Sequence, residues 1–221
     1  MKIIPSLNNV ICKINKRFIR GITNIIRAAN ENPGNSINPA DFVNITGEIV
    51  SLPMEVSSKR RDYRGFSTKD MIVGDTAIFR YDVVFDFIEK QDGEAAFKNS
   101  IWYNGGELWN VDIQKIFAVI RNNEIIMVNG YCMIEGFLPE PIIIIPKYMR
   151  SQTSASKSIL THIGNNLTHL PKIAASEGDT VYYHPYKIQK YKINGKEFGI
   201  IQQSQVWATS VSAYGELVAR D

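Results

Sequence analysis

Cysteine, histidine and long apolar runs are all scarce in this chain. Among 221 residues there are two cysteines, Cys12 and Cys132, and three histidines. That leaves no disulfide framework, and neither cysteine has a Cys or His at metal-ligand spacing. Both thiols fall in predicted strands, where a buried, inert cysteine is the ordinary outcome. His162, His169 and His184 all lie in the second half, and no glycine-rich phosphate loop accompanies them. The chain is therefore not read as an enzyme, and no metal or cofactor is expected. The longest aliphatic run, Ile142 to Ile145, falls far short of the ~20 residues of a membrane span. Met1-Lys2-Ile3-Ile4-Pro5 lacks the apolar core of a signal peptide. Charge of one sign is missing too: 25 basic against 22 acidic residues leave a formal +3, too little to imply a nucleic-acid or membrane surface. With 44% hydrophobic and 21% charged residues, wholesale disorder, collagen-like repeats and long coiled coils are excluded. These absences describe a soluble, cytoplasmic protein.

What is present is an internal repeat. Gly74-Asp75-Thr76-Ala77-Ile78-Phe79 returns as Gly178-Asp179-Thr180-Val181-Tyr182-Tyr183. Val10-Ile11-Cys12-Lys13 corresponds to Cys132-Met133-Ile134-Glu135, and Gly47 to Pro53 corresponds to Ser158 to Gly164. Glu107 leads eleven residues on to Ala118, as Glu197 leads to Ala208. In chain order the four offsets are 122, 111, 104 and 90. The blocks are collinear and the first copy has longer loops, so a duplication explains them. The boundary is placed near Asn122, giving repeats 1–122 and 123–221.

Each repeat reads as all-β, because its short segments rich in Ile, Val, Phe, Tyr and Trp are separated by Gly, Pro, Asn or Asp. Expected strands are Val10–Ile14, Ile45–Leu52, Thr76–Phe87 and Ile113–Val119 in the first half. Their partners are Tyr131–Ile134, Ile159–Ile163, Thr180–Ile188 and Phe198–Trp207. Small closed barrels or sandwiches suit this spacing. Arg17 to Ala29 has the pattern of a turn or two of helix.

The order of these blocks resembles the GroES-type co-chaperonin family, present here twice. Val10-Ile11-Cys12-Lys13 stands where the family has its first strand, and Thr46-Gly47-Glu48-Ile49-Val50 where it has the strand after the mobile loop. Val73-Gly74-Asp75-Thr76-Ala77-Ile78-Phe79 matches the family's Val-Gly-Asp signature. Ile116-Phe117-Ala118 matches its closing strand, and Ile143-Ile144-Ile145-Pro146 stands at the tip of the second mobile loop. The resemblance implies two tandem small β-barrels with long loops. The first copy carries insertions at Ser51 to Ile72 and Glu89 to Tyr103. The second loop departs from the family at Glu140-Pro141, where a flexible Gly-Gly pair is usual.

The resemblance further implies a co-chaperonin that caps an ATP-loaded group I chaperonin as a homo-oligomeric ring of seven and performs no bond chemistry. The chaperonin-binding candidates are Ile143, Ile144 and Ile145 of the second loop, and Gly21, Ile22, Ile25 and Ile26 of the first. The competing readings are a buried strand for the isoleucines and a short packed helix for the first loop. Lys59, Arg60, Arg61 and Arg64 form the densest basic cluster, at the roof-loop position, with a solvated hairpin tip as the plain alternative. An Asn-, Ile- and Lys-rich composition points to a bacterium or its phage, hence to host cytoplasm. A second function class is a structural ring protein of a phage virion or connector that reuses the barrel.

Overall fold

The computed structural model describes residues 3–15, 45–57, 63–85, 87–89, 95–138, 156–165, 167, 173–183, 188–193 and 196–210. The described chain is all-β and divides into two compact units, Met1–Ile126 and Met127–Asp221. Among the described residues, no helix is long and apolar enough to cross a membrane.

The first unit is built on β1 (Asn9–Ile14), β2 (Thr46–Ser51) and β3 (Thr76–Phe79). A small hairpin follows, β4 (Phe87–Glu89) with β5 (Ala95–Phe97). Then come β6 (Ser100–Tyr103), β7 (Gly106–Asp112), β8 (Ile116–Arg121) and β9 (Glu124–Met127). The second unit contains β10 (Tyr131–Leu138), β11 (Ser156–Ile163), β12 (Thr180–Tyr183), β13 (Gln189–Ile193), β14 (Lys196–Gln202) and β15 (Val206–Ser210). Strand order in the first sheet is β6-β7-β1-β2-β3-β8-β9, and in the second it is β13-β14-β10-β11-β12-β15. Strand for strand these are one order, with β9 added in the first.

The correspondence reaches single residue pairs. Cys12 lies opposite Trp109, and Ile134 opposite Gly199. Cys12 opposite Ile49 is matched by Ile134 opposite Leu160. Gly47 opposite Ala77 is matched by Ser158 opposite Val181. All obey the offsets read from sequence. Even the irregularities recur. β1 slips register between Ile11 and Cys12, and β10 between Met133 and Ile134. The ladder to the last strand slips between Ile78 and Phe79, and again between Tyr182 and Tyr183. A one-residue slip would exchange the two faces of a strand, so shared bulges mean shared register throughout.

Four expectations need correction. Neither sheet closes into a barrel: among the described residues both are open, with β6 and β9 at the edges of one and β13 and β15 at the edges of the other. The strand expected over Thr76–Phe87 stops at Phe79, because Asp82–Phe85 forms a helical turn that buries Val83 and Val84. Phe198–Trp207 is two strands, parted by a 3-10 turn at Gln203–Gln205. The counterpart of that turn at Ile113–Lys115 opens the segment expected as strand Ile113–Val119. The helix expected at Arg17–Ala29 lies outside the described residues.

The second core groups Cys132, Ile134, Leu160, Val181, Tyr183 and Ile201. At the equivalent positions Val10, Cys12, Ile49, Ala77, Phe79 and Val111 are fully buried. Full burial of a Val, Leu, Ile or Phe side chain stabilises by roughly 1.5–3 kcal/mol, so these positions carry much of each unit. One exchange is compensated. In the first unit a Cβ on Gly47 would stand 3.2 Å from the ring of Phe79, and neither residue has a side-chain polar group. In the second unit the same two positions are Ser158 and Tyr183, whose hydroxyls share a buried hydrogen bond of 2.8 Å. A buried hydroxyl without a partner costs ~1–3 kcal/mol, so each polar residue needs the other. Tyr183→Phe is expected to lower stability by ~1–3 kcal/mol, and adding Ser158→Ala should restore part of that loss. Chemical denaturation of both variants checks this; strictly additive losses would show that the hydroxyls are not coupled.

Candidate functional site

In each sheet, two neighbouring strands are joined by the segment of sequence that carries the apolar candidates. β1 and β2 are antiparallel neighbours, and residues 15–45 run between them. β10 and β11 are the matching neighbours, joined through residues 139–155. Gly21, Ile22, Ile25 and Ile26 lie in the first of these connections, and Ile143, Ile144 and Ile145 in the second. All seven are outside the described residues, as are Lys59, Arg60 and Arg61. Arg64 is described and exposed, in the connection between β2 and β3. The structure thus places the roots of both candidate loops at equivalent positions.

The exit from β10 is shaped by a second irregularity. Register slips between Glu135 and Leu138, and Gly136 has φ +63°, a left-handed conformation that glycine adopts without steric cost. Glu135 is paired there with Lys196 of β14, whose ammonium also sits 5.5 Å from the centre of the Phe198 ring. Bulges of this kind re-aim a strand where it leaves its ladder.

The other connection, from β2 to β3, ends in the turn that announced the repeat. Gly74 N–H donates to the Ile49 carbonyl at 2.9 Å, and the Ile49 N–H donates to the Asp75 carbonyl at 2.8 Å. Gly178, Leu160 and Asp179 reproduce this at 2.7 and 2.9 Å. Each aspartate closes its own turn by accepting a main-chain N–H, Ile72 to Asp75 at 2.9 Å and Ser176 to Asp179 at 2.7 Å. Gly74 and Gly178 have φ of +97° and +95°, which accounts for glycine at both. Asp75 is additionally gripped by Arg121, whose Nε and one terminal nitrogen each donate at 2.8 Å. These aspartates are turn-formers, as their equivalence in the sequence indicates. Tyr63, beside Arg64, donates its hydroxyl to the Asp112 carboxylate at the end of β7.

Cys12 and Cys132 are fully buried, and burial pushes both thiols up to about 12, so neither supplies a thiolate nucleophile near neutral pH. Among the described residues, no group of three or more His, Cys, Asp and Glu side chains is placed to hold a metal ion.

The two units differ most on their surfaces. Leu7, Met54, Ile72, Val73 and Trp102 are large, exposed apolar residues of the first unit, Met54 at 91%. Their equivalents by offset are Asn129, Asn165, Ser176, Glu177 and Lys192. Three of the five lie in the β2–β3 connection, Met54 and Ile72 of them within the expected insertion Ser51 to Ile72. No protein-family model matches the chain, and no curated protein matches it.

The Arg121 guanidinium is the main reason that the Asp75 carboxyl is held below the usual carboxylate range, with burial opposing it and the Ile72 N–H assisting. A carboxylate lowered on folding adds stability above its unfolded value of ~3.9 and loses it as pH falls through the folded one. Arg121→Gln should therefore lower the melting temperature at pH 7, with the gap to wild type closing as pH falls below ~4. A gap independent of pH in thermal scans would remove the ion pair from the account.

Proposed function

We propose that this protein is a tandem co-chaperonin of the GroES type, which caps an ATP-loaded group I chaperonin and assists folding without catalysing a reaction. The observation that carries the reading is the equivalent placement of the two candidate segments. Two sheets of one strand order each interrupt the same central strand pair with a segment bearing several isoleucines. A cap needs several aliphatic tips, fixed at their roots and presented together. Burying one isoleucine stabilises by ~1.5–3 kcal/mol, and ordering a loop offsets much of that, so a single segment binds weakly. Linking many in a ring, seven-membered by the family resemblance, turns weak contacts into a firm but releasable cap. In this reading Ile143, Ile144 and Ile145 dock in apolar grooves of the chaperonin, Gly21, Ile22, Ile25 and Ile26 supply the second contact, and Lys59, Arg60, Arg61 and Arg64 line the opening of the dome.

A second reading, a structural ring protein of a phage virion or connector, is favoured by the surface asymmetry. The apolar residues at Met54, Ile72, Val73 and Trp102 and the β4–β5 hairpin elaborate the first unit alone among the described residues. A chain of two equal caps has no need of them.

Replacing Ile143, Ile144 and Ile145 together with Ser separates these readings. The co-chaperonin reading expects at least a tenfold loss of chaperonin binding in the presence of ATP or ADP, with oligomer size and circular dichroism unchanged. Wild-type protein that ignores chaperonin under every nucleotide favours the virion component. Collapse of the fold would mean that the three isoleucines form a buried strand.

A further inference from the structure

β6 and β13 are equivalent edge strands, and each is followed in the sequence by Asn-Gly. Their ladders match pair for pair at the offset of 90. Ser100 opposite Trp109, Ile101 opposite Leu108 and Trp102 opposite Glu107 are matched by Lys190 opposite Gly199, Tyr191 opposite Phe198 and Lys192 opposite Glu197. Among the described residues, no strand lies on the outer side of either. Proteins blunt an edge that must stay free with charge, lysine above all, and β13 carries Lys190 and Lys192. β6, Ser100-Ile101-Trp102-Tyr103, carries no charge, and Trp102 is 74% exposed with Ile101 exposed beside it. One fold thus holds a protected and an unprotected copy of the same edge.

We infer that the outer edge of β6 pairs antiparallel with β6 of a second copy of this chain, about a two-fold axis at Ile101. The register follows from the direction of the main-chain groups. Asn104 and Gly105 have φ of 49° and 73°, a two-residue turn that makes Tyr103 and Gly106 a hydrogen-bonded pair. Bonded and non-bonded pairs then alternate along the ladder. The Asn110 N–H, donating to the Asn99 carbonyl at 2.8 Å, keeps this phase. Ser100 and Trp102 therefore aim their main-chain groups away from β7. Only a pairing centred on Ile101 engages both: Ser100 bonds Trp102 of the second copy, and Trp102 bonds its Ser100. Ile101 then faces its own counterpart at a non-hydrogen-bonded pair, where side chains come closest.

Charge and size both fit a second copy as the occupant. Within the pair no charge meets another, and each indole lies across from a serine, so the large residue meets the small one. Leu108, opposite Ile101 on β7, continues an apolar row through both isoleucines to Leu108 of the second copy. The same pairing at β13 would set Lys190 directly against Lys192, and like charges directly opposite are destabilising. The chain thus permits the contact at one edge and forbids it at the other. Strands of four residues bury less than the ~1,200 Å² of a stable complex, so the pair forms reversibly and its population rises with concentration. The contact is isologous and closes at two copies. The inference goes beyond the chaperonin reading and holds whichever role the chain performs.

A single cysteine in the full chain tests it. Ile101→Cys sits on the axis and meets its own counterpart, so mild oxidation should trap a covalent dimer and nothing larger. Lys98→Cys is exposed but lies three residues from the axis in each copy, and should cross-link little. The native thiols are buried and do not compete. No disulfide in the folded Ile101→Cys variant, or equal yields from the two variants, would overturn the inference. Independently, Ser100→Lys with Trp102→Lys copies the β13 edge. In sedimentation at rising concentration the wild type should approach twice the mass of the lysine variant, with matching circular dichroism. Equal masses at every concentration would leave the edge to another protein or to the chain's own residues, and would also overturn it.

Discussion

The register of the central three-strand ladder is the constraint on which everything else rests. β1 is held between β7 and β2, and β10 between β14 and β11. Successive side chains point to opposite faces, so only one register buries Val10, Cys12, Ile49 and Val111 together, and likewise Cys132, Ile134, Leu160 and Ile201. The turn at Gly74-Asp75 then brings β3 against β2 by main-chain bonds to Ile49, and the equivalent turn does the same through Leu160. Loops between these strands can lengthen without disturbing the ladder, because added loop length costs little closure entropy. That is how one framework carries 31 residues between its first two strands in one copy and 17 in the other.

Much of this framework was legible in the residues. The Gly-Asp turns, the Val10 and Cys132 blocks and the falling offsets placed β1, β2 and β3 and their partners, because a turn demanding positive φ and a strand demanding a buried face leave strong local marks. Two features escaped. Asn104-Gly105 and Asn194-Gly195 occur 90 residues apart in both copies, a hairpin signal that marks β6–β7 and β13–β14 and extends the repeat by two strands. The 3-10 turns at Ile113 and Gln203 were absorbed into strands, since Ile113 is apolar and buried and hydrophobicity alone does not reveal a break. Closure into barrels was not legible at all: it depends on whether edge strands meet, a long-range property that no local pattern encodes.

The candidate site was legible as composition and not as geometry. Consecutive isoleucines at 142–145 stand out in any reading, but a docking tip and a core strand share that signature. What the fold adds is that the segment holding them connects β10 and β11, as the isoleucine-bearing segment of the first copy connects the equivalent β1 and β2. It also adds a contrast between the copies. The first presents Met54, Ile72, Val73 and Trp102 to solvent where the second has polar residues. Two repeats that share a ladder have diverged on their surfaces, as copies do once they face different neighbours.

Hydrogen exchange across residues 139–155, followed by mass spectrometry with and without a group I chaperonin, tests the functional account most directly. The account predicts protection at Ile143–Ile145 that appears only when chaperonin and nucleotide are both present, and a smaller gain across residues 21–26. Exchange in both segments that stays the same whether or not chaperonin and nucleotide are added would contradict it.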